Sequence, residues 1–262
     1  MPELPEVESQ LNYLLRTALG RTIRKVNVFE SRIIKNSTAL SFKRALTGVR
    51  INGASRRGKY LIVDMGRGRM LVLHFGMGGD LQYYQAIQPR PRFTRIEFVL
   101  DNSHCLAFTC PRNICRVMSV KSPSEVPGLR DMGPEPLSKA FTLGVFKSIL
   151  ESGGAGAIKA LLMDQSRIAG IGNIYADQIL FEAAVRPIRK TWTLDLNEIT
   201  RVYRSIRRVL KKALPTANDE ALPRHYVYSR DFLGLGCLTC GNSFHKARVG
   251  GRTTRYCAVC QQ

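Results

Sequence analysis

The stretch CLTCGNSFHKARVGGRTTRYCAVC, residues 237–260, decides how the last part of this chain folds. It contains two Cys-x-x-Cys pairs separated by sixteen residues, Cys237 with Cys240 and Cys257 with Cys260. Two such pairs are typical of a four-thiolate zinc site, because each pair lets two sulfurs converge on one ion. The ion replaces the hydrophobic core that so short a segment cannot build. We therefore predict one structural Zn²⁺ at these four cysteines; the alternative, four reduced thiols in a loop, would leave the segment unable to fold.

A hairpin rich in cations is predicted between the two cysteine pairs. Its turns are supplied by three glycines: Gly241, Gly250 and Gly251. Its basic side chains are Lys246, Arg248, Arg252 and Arg255. As a group these cations are suited to contacts with a phosphate backbone, although any single one could be an ordinary solvated charge.

The whole chain carries a large excess of positive charge. Among 262 residues, Lys and Arg number 40 against 20 for Asp and Glu, a formal net charge of +20. The excess is spread over both halves of the chain, which favours a polyanion as partner. A surface charged only for solubility is the alternative. Hydrophobic residues make up 44%, enough to build a folded core.

Composition also bears on the compartment. No stretch approaches the roughly 20 apolar residues of a membrane span, and the N-terminus lacks the basic-then-apolar order of a signal peptide. We expect an intracellular monomer with no membrane partner. Seven cysteines do not pair evenly, which argues against a disulfide framework. Cys105, Cys110 and Cys115 are spaced by five, which on strands puts neighbours on opposite faces, and we interpret them as small buried hydrophobic residues.

The order of patterns along the chain predicts an α+β protein. Residues 6–19 have apolar side chains at helical spacing and predict a first helix. Seven runs that follow predict a β-sandwich capped by this helix: RTIRKVNVF, KYLIVDM, RMLVLHF, DLQYY, TRIEFVL, HCLAFTC and CRVMSV. Later helices are predicted near 138–151, 156–163, 173–184 and 195–213. The predicted division is an N-terminal β-sandwich domain at 1–121, a proline-rich linker at 122–136, a helical domain at 137–224 and the zinc finger at 225–262.

The N-terminal tip is rigid and acidic in an otherwise basic protein. Its eight residues, MPELPEVE, hold two prolines and three glutamates. Glu3, Glu6 and Glu8 lie in or before the first turn of the predicted helix, where the helix dipole favours negative charge. The helix dipole explains only part of this rigid, acidic tip.

Six segments, taken together and in this order, resemble a known family. They are MPELPEVE (1–8), RGKY (57–60), HFGMGGD (74–80), GPEPL (133–137), GIGNIYADQILF (170–181) and the four-cysteine finger. The set is similar to formamidopyrimidine-DNA glycosylases of the Fpg/endonuclease VIII family, over nearly the whole chain. The resemblance implies a β-sandwich, then a helix–two-turn–helix domain with a zinc-finger hairpin, and damaged double-stranded DNA in the cleft. It also implies a base-excision-repair enzyme that excises oxidised bases and then nicks the strand as an AP lyase (β,δ-elimination), located with DNA in a bacterial-type cytoplasm or nucleoid.

The resemblance places the chemistry at the tip. If Met1 is removed, Pro2 exposes a secondary amine, and an α-amine titrates at about 8, far below a lysine, so it is a usable nucleophile. Its attack on the sugar C1′ yields a permanently positive iminium. Glu3 fits a proton donor or shuttle, and Glu6 would orient the tip. Lys59 would assist the chemistry and contact phosphate; without its GKY context it would be an ordinary solvated lysine.

A base inside a duplex must be flipped out before it is attacked, and the gap must be filled. Met77, Arg112 and Ile114 stand at the positions of the family's wedge of Met, Arg and Phe. Met77 has an alternative interpretation, since a methionine in a β-protein is more often part of the core.

Contacts to the DNA backbone are implied for four further residues. His74 and Lys159 lie in or before motifs of the family. Asn173 opens a helix after a glycine, a position suited to phosphate. Arg252 matches the finger arginine that the family uses on the phosphates flanking the lesion, and it is linked to the second elimination.

The departures from the family pattern concern base reading. The usual Asp-Pro-Arg-Arg-Phe-Gly is Cys-Pro-Arg-Asn-Ile-Cys here (110–115), so Ile114 replaces the wedge Phe. The basic run expected before Lys159 is SGGAG (152–156). In relatives that prefer 8-oxoguanine a longer loop with a Gly-Tyr-Phe element closes over the flipped base, whereas this chain has only LPTANDEALPRHYVYSRDFLGLGC (214–237). We expect reduced activity on 8-oxoguanine, unless residues 218–224 cap the base.

Two other functions are compatible with the sequence. The main alternative is a catalytically idle family member that binds damaged or branched DNA, although the intact Pro2, Glu3 and Lys59 argue against it. The second is a zinc-ribbon RNA-binding protein, which would not need a processed proline terminus.

Overall fold

A computed structural model describes residues 2–217 and 222–262. The chain divides into two compact units, Met1–Asp131 (unit 1) and Met132–Gln262 (unit 2). The division falls inside the segment predicted as a linker, 122–136, which contains a 3-10 turn at Pro123–Glu125 and a short helix at Pro127–Arg130. The finer four-part division of the chain stays a prediction.

Unit 1 is a β-sandwich with a helix at its start. Its strands are β1 (Ile23–Val28), β2 (Gly53–Arg57), β3 (Tyr60–Asp64), β4 (Met70–His74), β5 (Asp80–Gln85), β6 (Thr94–Leu100), β7 (His104–Thr109) and β8 (Arg116–Val120). Its helices are α1 (Leu4–Thr17), α2 (Ala39–Leu46) and α3 (Pro127–Arg130). Among the described residues of this unit, the strands form two four-stranded antiparallel sheets, in the orders β1-β6-β7-β5 and β2-β3-β4-β8.

A hydrophobic core lies between the two sheets. Ile23, Phe98 and Phe108 of the first sheet are buried in it together with Leu61 and Leu73 of the second. The short apolar and alternating runs place these side chains on one face of each strand. The predicted fold class, a β-sandwich followed by a helical part, is confirmed.

Helix α1 covers this core through Val7, Leu11 and Leu14, the helical spacing that predicts it. The helix begins earlier than residue 6, because Glu3 is its N-cap and Pro5 lies in its first turn, where a missing N–H costs nothing. Residues 3–8 of the tip therefore already belong to the helix or to its cap.

Strand β2 and helix α2 lie where the sequence pattern predicts no element. Strand β2 is the edge strand GASRR, which buries no residue fully and so lacks apolar alternation. Helix α2 is short and buries only Phe42 and Leu46. Its start is set by a cap, since the Thr38 hydroxyl accepts a hydrogen bond from the Ser41 N–H at 3.2 Å.

The three cysteines of unit 1 are buried as predicted, but two of them are bonded to each other. Cys110 and Cys115 form a disulfide with their Cα atoms 6.2 Å apart, whereas Cys105 is a free thiol in β7. The interpretation of Cys110 and Cys115 as separate hydrophobic residues is wrong. It assumes a strand, whereas residues 111–114 form a turn that brings the two side chains together.

Unit 2 is helical and ends in a two-stranded hairpin. Its elements are α4 (Leu143–Ser152), α5 (Ile158–Met163), α6 (Asn173–Glu182), α7 (Leu196–Ala213), α8 (Val227–Phe232), β9 (His245–Val249) and β10 (Arg252–Tyr256). Helix α4 begins later than predicted because the Thr142 hydroxyl caps it, accepting from the Val145 N–H at 3.2 Å. Helix α8 lies where no helix is predicted. Within the described residues, none of the helices is both long and apolar enough to cross a membrane.

Candidate functional site

The N-terminal tip is held by helix α1. The Glu3 N–H donates a 2.8 Å hydrogen bond to Oε2 of Glu6, which turns back from the first helical turn. The two residues form a capping box. Glu3 is 2% exposed, and Pro2 beside it is half-buried. A buried carboxyl group thus adjoins a partly accessible residue, as an acid paired with a nucleophile requires.

An ion pair links α1 to the turn that carries Lys59. Oε2 of Glu8 accepts from Nε of Arg56 at 2.6 Å, and the same guanidinium donates to the Gly58 carbonyl at 3.0 Å. Gly58 has a φ of +53°, a left-handed conformation that glycine adopts without cost. Lys59 is only 7% exposed, so it is not the solvated strand-end lysine of the alternative interpretation.

His74 ends β4 opposite Tyr60 of β3. Its Nδ1 accepts a hydrogen bond from the Gly76 N–H at 3.3 Å, which leaves the proton on Nε2. Burial lowers the pKa of His74 to about 4, and the nearby charges of Arg116 and Lys59 act in the same direction. The ring is therefore neutral at physiological pH, able to donate one hydrogen bond to a phosphate but not to add a positive charge.

Three side chains, those of the predicted wedge residues Met77, Arg112 and Ile114, project from two adjacent loops of unit 1. Met77 is 38% exposed and Ile114 is 47% exposed, so the core interpretation of Met77 is wrong. Nη1 of Arg112 lies 3.8 Å from Sδ of Met77. Gly76 permits this approach of the loops, because a Cβ there would lie 2.7 Å from the Ile114 carbonyl oxygen.

Asn173 is the first residue of α6, directly after the N-cap Gly172. The loop before it is braced by Gln165, whose Nε2 donates to the Ile171 carbonyl at 2.8 Å and whose Oε1 accepts from the Gly170 N–H at 2.9 Å. Oδ1 of Asn173 is buried and has no hydrogen-bond partner among the residues described. Sequence reasoning does not identify Gln165, since a glutamine in a loop carries no distinctive pattern.

The structure corrects the prediction that Lys159 contacts DNA. Lys159 is 0% exposed; its Nζ lies 2.6 Å from Oδ1 of Asp177 and donates to Oγ1 of Thr254 at 2.7 Å. Oδ2 of Asp177 in turn accepts from the Arg255 N–H at 3.1 Å. Burial raises the pKa of Asp177 to about 6, although the Lys159 charge opposes the shift. Lys159 and Asp177 thus tie α5 and α6 to strand β10, and neither residue can reach a phosphate.

The four finger cysteines converge on one point. Their Sγ atoms all lie within 4.8 Å of one another; the four are Cys237, Cys240, Cys257 and Cys260. N–H groups point at two of the sulfurs, from Thr239 to Cys237 Sγ and from Asn242 Nδ2 to Cys240 Sγ, both at 3.4 Å. Such donors stabilise thiolates, and four thiolates at this spacing fit one tetrahedral Zn²⁺.

The hairpin between the cysteine pairs presents Arg252 at its turn. Two glycines with φ of +56° and +73° make the tight turn that leads into β10. Arg252 is exposed and pairs with no carboxylate of the described residues. Lys246 and Arg255, by contrast, both pair with Asp231, at 3.4 Å and 2.6 Å. Only part of the predicted cationic group is therefore available to phosphate, and Asp231 is a residue that the sequence pattern does not single out.

Sequence models of three domains match the chain in succession. The first is the formamidopyrimidine-DNA glycosylase N-terminal domain, over residues 1–117. The second is the formamidopyrimidine-DNA glycosylase H2TH domain, over residues 132–221, and the third is a zinc finger found in FPG and IleRS, over residues 234–262. The predicted zinc-finger hairpin and its single structural zinc are confirmed.

Relatives match over the full length. The chain is 39% identical to the formamidopyrimidine-DNA glycosylase of Thermus thermophilus, covering 100% of this chain and 98% of that protein. It is 36% identical to that of Pelotomaculum thermopropionicum, covering 100% and 99%. The crystal structure of the Lactococcus lactis formamidopyrimidine-DNA glycosylase, non-covalently bound to DNA with an AP site, superposes with a TM-score of 0.90 at 30% identity, covering 99% of each chain. The Thermus thermophilus structure gives a TM-score of 0.85 at 37% identity, covering 99% and 98%.

Proposed function

The chain belongs to the formamidopyrimidine-DNA glycosylase family, and we propose that it excises oxidised bases from duplex DNA and then cleaves the strand at the resulting abasic site. The observation that carries this proposal is the tip of unit 1. There the buried carboxyl group of Glu3 adjoins Pro2, and Glu6 holds the backbone N–H of Glu3 in place at 2.8 Å. A binding protein without catalysis has no need of this arrangement.

Pro2 is the proposed nucleophile, once Met1, which lies outside the described residues, has been removed. The amine nitrogen forms a bond to the sugar C1′ while the bond from C1′ to the base breaks, and the base leaves with that electron pair. Glu3 supplies the proton that the departing base or the ring oxygen takes up. The nitrogen then loses its proton, and its lone pair expels the ring oxygen O4′ from C1′, which opens the sugar and forms an iminium. Because the attacking amine is secondary, this iminium carries a positive charge that no deprotonation can remove.

The iminium is the electron sink for strand cleavage. It makes the C2′ hydrogen acidic; loss of that proton expels the 3′-phosphate, and a second elimination expels the 5′-phosphate. Lys59 is proposed to contact the phosphate near the lesion and to assist these steps. Arg252 is proposed to bind the flanking phosphates and to act in the second elimination. Water then hydrolyses the iminium and restores the amine of Pro2.

The substrate is proposed to be damaged double-stranded DNA, bound by a monomer inside the cell. The wedge residues fill the place of the flipped base. His74 and Asn173 are proposed to contact the backbone, His74 as a neutral hydrogen-bond donor. Zinc contributes structure rather than chemistry, because the hairpin that presents Arg252 depends on it.

We propose further that 8-oxoguanine is a poorer substrate than ring-opened formamidopyrimidine or hydantoin-like lesions and abasic sites. Discrimination of 8-oxoguanine from guanine requires hydrogen bonds that the wrong base leaves unpaired, and the segment between α7 and α8 is short for a capping loop. Ile114 also stacks less well than phenylalanine. Poorly stacked lesions cost less to flip. The alternative cap, residues 218–224, begins in a stretch, 218–221, that lies outside the described residues.

Single-turnover rates on matched duplexes test this specificity. The formamidopyrimidine lesion should be processed faster than 8-oxoguanine opposite cytosine. Equal rates would contradict the argument from the short segment, and they would leave the proposed glycosylase activity intact.

Covalent trapping tests the function itself. The protein is incubated with an abasic-site duplex and borohydride, which reduces the iminium to a stable protein–DNA adduct. An adduct is expected. Tight binding without any adduct would favour the catalytically idle alternative, and preference for RNA over the duplex would favour the zinc-ribbon alternative.

A further inference from the structure

The turn that carries two of the wedge residues is closed by a covalent bond. Cys110 and Cys115 flank residues 111–114 and form a disulfide, with Cα atoms 6.2 Å apart. In the family pattern these two positions are Asp and Gly. This chain has therefore replaced both ends of the turn with the one residue type that can bond across it, and neither cysteine has a part in the zinc site or in the proposed chemistry.

The disulfide lies beneath both loops that carry the wedge residues. Cys110 is 0% and Cys115 is 1% exposed. Sγ of Cys115 lies 3.1 Å from the carbonyl oxygen of Phe75, where the Met77 loop begins. A Cβ at Gly79, where that loop ends, would lie only 2.8 Å from the same sulfur. The sulfur thus packs against both ends of the Met77 loop. A change at the disulfide therefore alters the packing of both loops.

The rest of the turn is held by hydrogen bonds. The Cys110 N–H donates to the Phe93 carbonyl, and the Cys110 carbonyl accepts from Nε of Arg95, both at 2.9 Å. Asn113 has a φ of +54°, and its side-chain amide donates to Glu30 at 3.4 Å. A left-handed residue at this position is strained unless its surroundings hold it. The covalent link between the ends of the turn provides that restraint.

We propose that the Cys110–Cys115 disulfide is a redox-sensitive positioning element that keeps Arg112 and Ile114 ready to enter the duplex. This inference rests on the proposed function, because it needs DNA entry by the wedge residues. Closing the turn reduces the number of conformations in the free protein, so less entropy is lost when the turn inserts into DNA.

Reduction of this disulfide removes the covalent closure of the turn. A dithiol reductant breaks the S–S bond and delivers two electrons and two protons, which leaves two cysteine thiols and oxidises the reductant to its own disulfide. Because both sulfurs are buried, the reductant reaches them only when the turn opens transiently. The reduced turn keeps its hydrogen bonds but loses its covalent closure, and Arg112 and Ile114 then sample more positions.

The test uses full-length, zinc-loaded protein in three forms. These are the protein purified without reductant, the same protein after dithiothreitol treatment and removal of the reductant without air, and the variant Cys110→Ser/Cys115→Ser. Cys105→Ala is the matched control, since Cys105 is a buried free thiol outside the turn. Affinity is measured on a duplex with a tetrahydrofuran abasic analogue. Trapping on a true abasic site uses cyanoborohydride, because borohydride would itself reduce the disulfide. Zinc content is measured in every form.

Alkylation of the denatured, zinc-stripped protein should count five thiols before reduction, as the structure has five free cysteines, and seven afterwards. Reduction should weaken DNA affinity by about tenfold and slow trapping in the wild type and in Cys105→Ala, at unchanged zinc content. The double serine variant should match the reduced wild type whether or not reductant is added.

Three outcomes overturn the inference. Seven thiols before any reduction would show that the disulfide does not form. The oxidised and reduced wild type can be compared without any substitution or refolding. Equal affinity and equal trapping in these two forms would show that the bond does not position the turn. Absence of trapping in every form would overturn the proposed function, and this inference with it.

Discussion

Pro2 and Glu3 place an amine and an acid side by side because both precede the same helix. The rigidity of proline limits the positions of the amine, and the capping box limits those of Glu3.

Replacement of Pro2 by Gly should slow borohydride trapping on abasic DNA by at least about a hundredfold, because the secondary amine and its rigid ring are both lost. Retention of Met1 should have the same effect. DNA affinity should stay near that of the wild type, measured by fluorescence anisotropy. Pro5→Ala alters the other proline of the tip without touching the amine, and serves as the matched control. Undiminished trapping by both Pro2→Gly and the Met1-bearing form would assign the nucleophile to another residue.

His74 should make the stability of unit 1 depend on pH. Its pKa in the folded protein is about 4, below the ordinary value of 6.5, so the unfolded chain takes up this proton first as the pH falls. The contribution of the neutral His74 ring to the free energy of unfolding is fully present above the ordinary pKa of 6.5. It is lost as the pH falls through the folded-state pKa of about 4. Between about pH 7 and pH 4, the free energy of unfolding of the wild type should fall by about 1–3 kcal/mol more than that of His74→Gln, measured by urea titration. Identical pH dependence in the two proteins would show that the folded ring is protonated as readily as the unfolded one.

At the scale of elements, two of the supports of the finger hairpin are independent of each other. The zinc joins its ends, and the buried pair of Lys159 and Asp177 joins strand β10 to the helices. The two supports act on different parts of the hairpin and can be removed one at a time.

Cys240→Ser removes one thiolate of the zinc site. Zinc content should fall from one per chain towards zero, and DNA affinity should fall by about tenfold or more, because Arg252 loses the hairpin that presents it. Leu238→Ser changes an exposed residue of the same Cys-x-x-Cys pair, 59% exposed and not a ligand, and should leave both quantities unchanged. Elemental analysis and anisotropy measure the outcome. A zinc-free variant that still binds DNA at full affinity would separate the finger from DNA binding.

Lys159→Ala leaves the carboxylate of Asp177 buried without its partner. Unit 2 should lose about 3–5 kcal/mol of unfolding free energy, measured by urea titration. Arg208→Ala is the matched control, since its pair with Glu182, also at 2.6 Å, is about half exposed at the arginine and should cost about 1 kcal/mol or less. Unchanged stability together with a lower salt dependence of DNA binding would restore the prediction that Lys159 contacts phosphate.

At the scale of the whole molecule, the net charge of +20 should govern the response of DNA binding to salt. The logarithm of affinity should fall linearly with the logarithm of salt concentration, with a slope of several units, because bound cations release counterions from the phosphates. Arg252→Ala should reduce that slope by about one. Lys246→Ala, in the same hairpin but paired with Asp231, should reduce it less. A flat salt response would exclude a phosphate backbone as the main partner.

The sequence alone is enough to predict the features that depend on neighbours along the chain. The helix α1, the apolar strands of both sheets and the two cysteine pairs of the finger follow from short-range spacing, because side-chain direction repeats every 3.6 residues in a helix and every two in a strand. Spacing does not predict elements with a weak apolar pattern. Strand β2 is a polar edge strand, and helix α2 buries only two side chains. The motifs also suffice to place Pro2, Glu3 and the finger in a known family.

Only the tertiary structure decides which of the side chains singled out from the sequence are exposed, and which are buried or bonded to another residue. Lys159 and Thr254 are 95 residues apart in sequence, yet their contact is what removes Lys159 from the surface. Cys110 and Cys115 are close in sequence, but their bond depends on a turn that the strand-based spacing argument does not anticipate. Burial lowers the pKa of His74, and the charge of Arg116, its partner on the adjacent strand β8, acts in the same direction. For Lys159, burial and partnership arise from packing between segments that are distant in sequence. For Cys110 and Cys115, the bond follows from the conformation of the turn. The spacing of residues along the chain predicts neither.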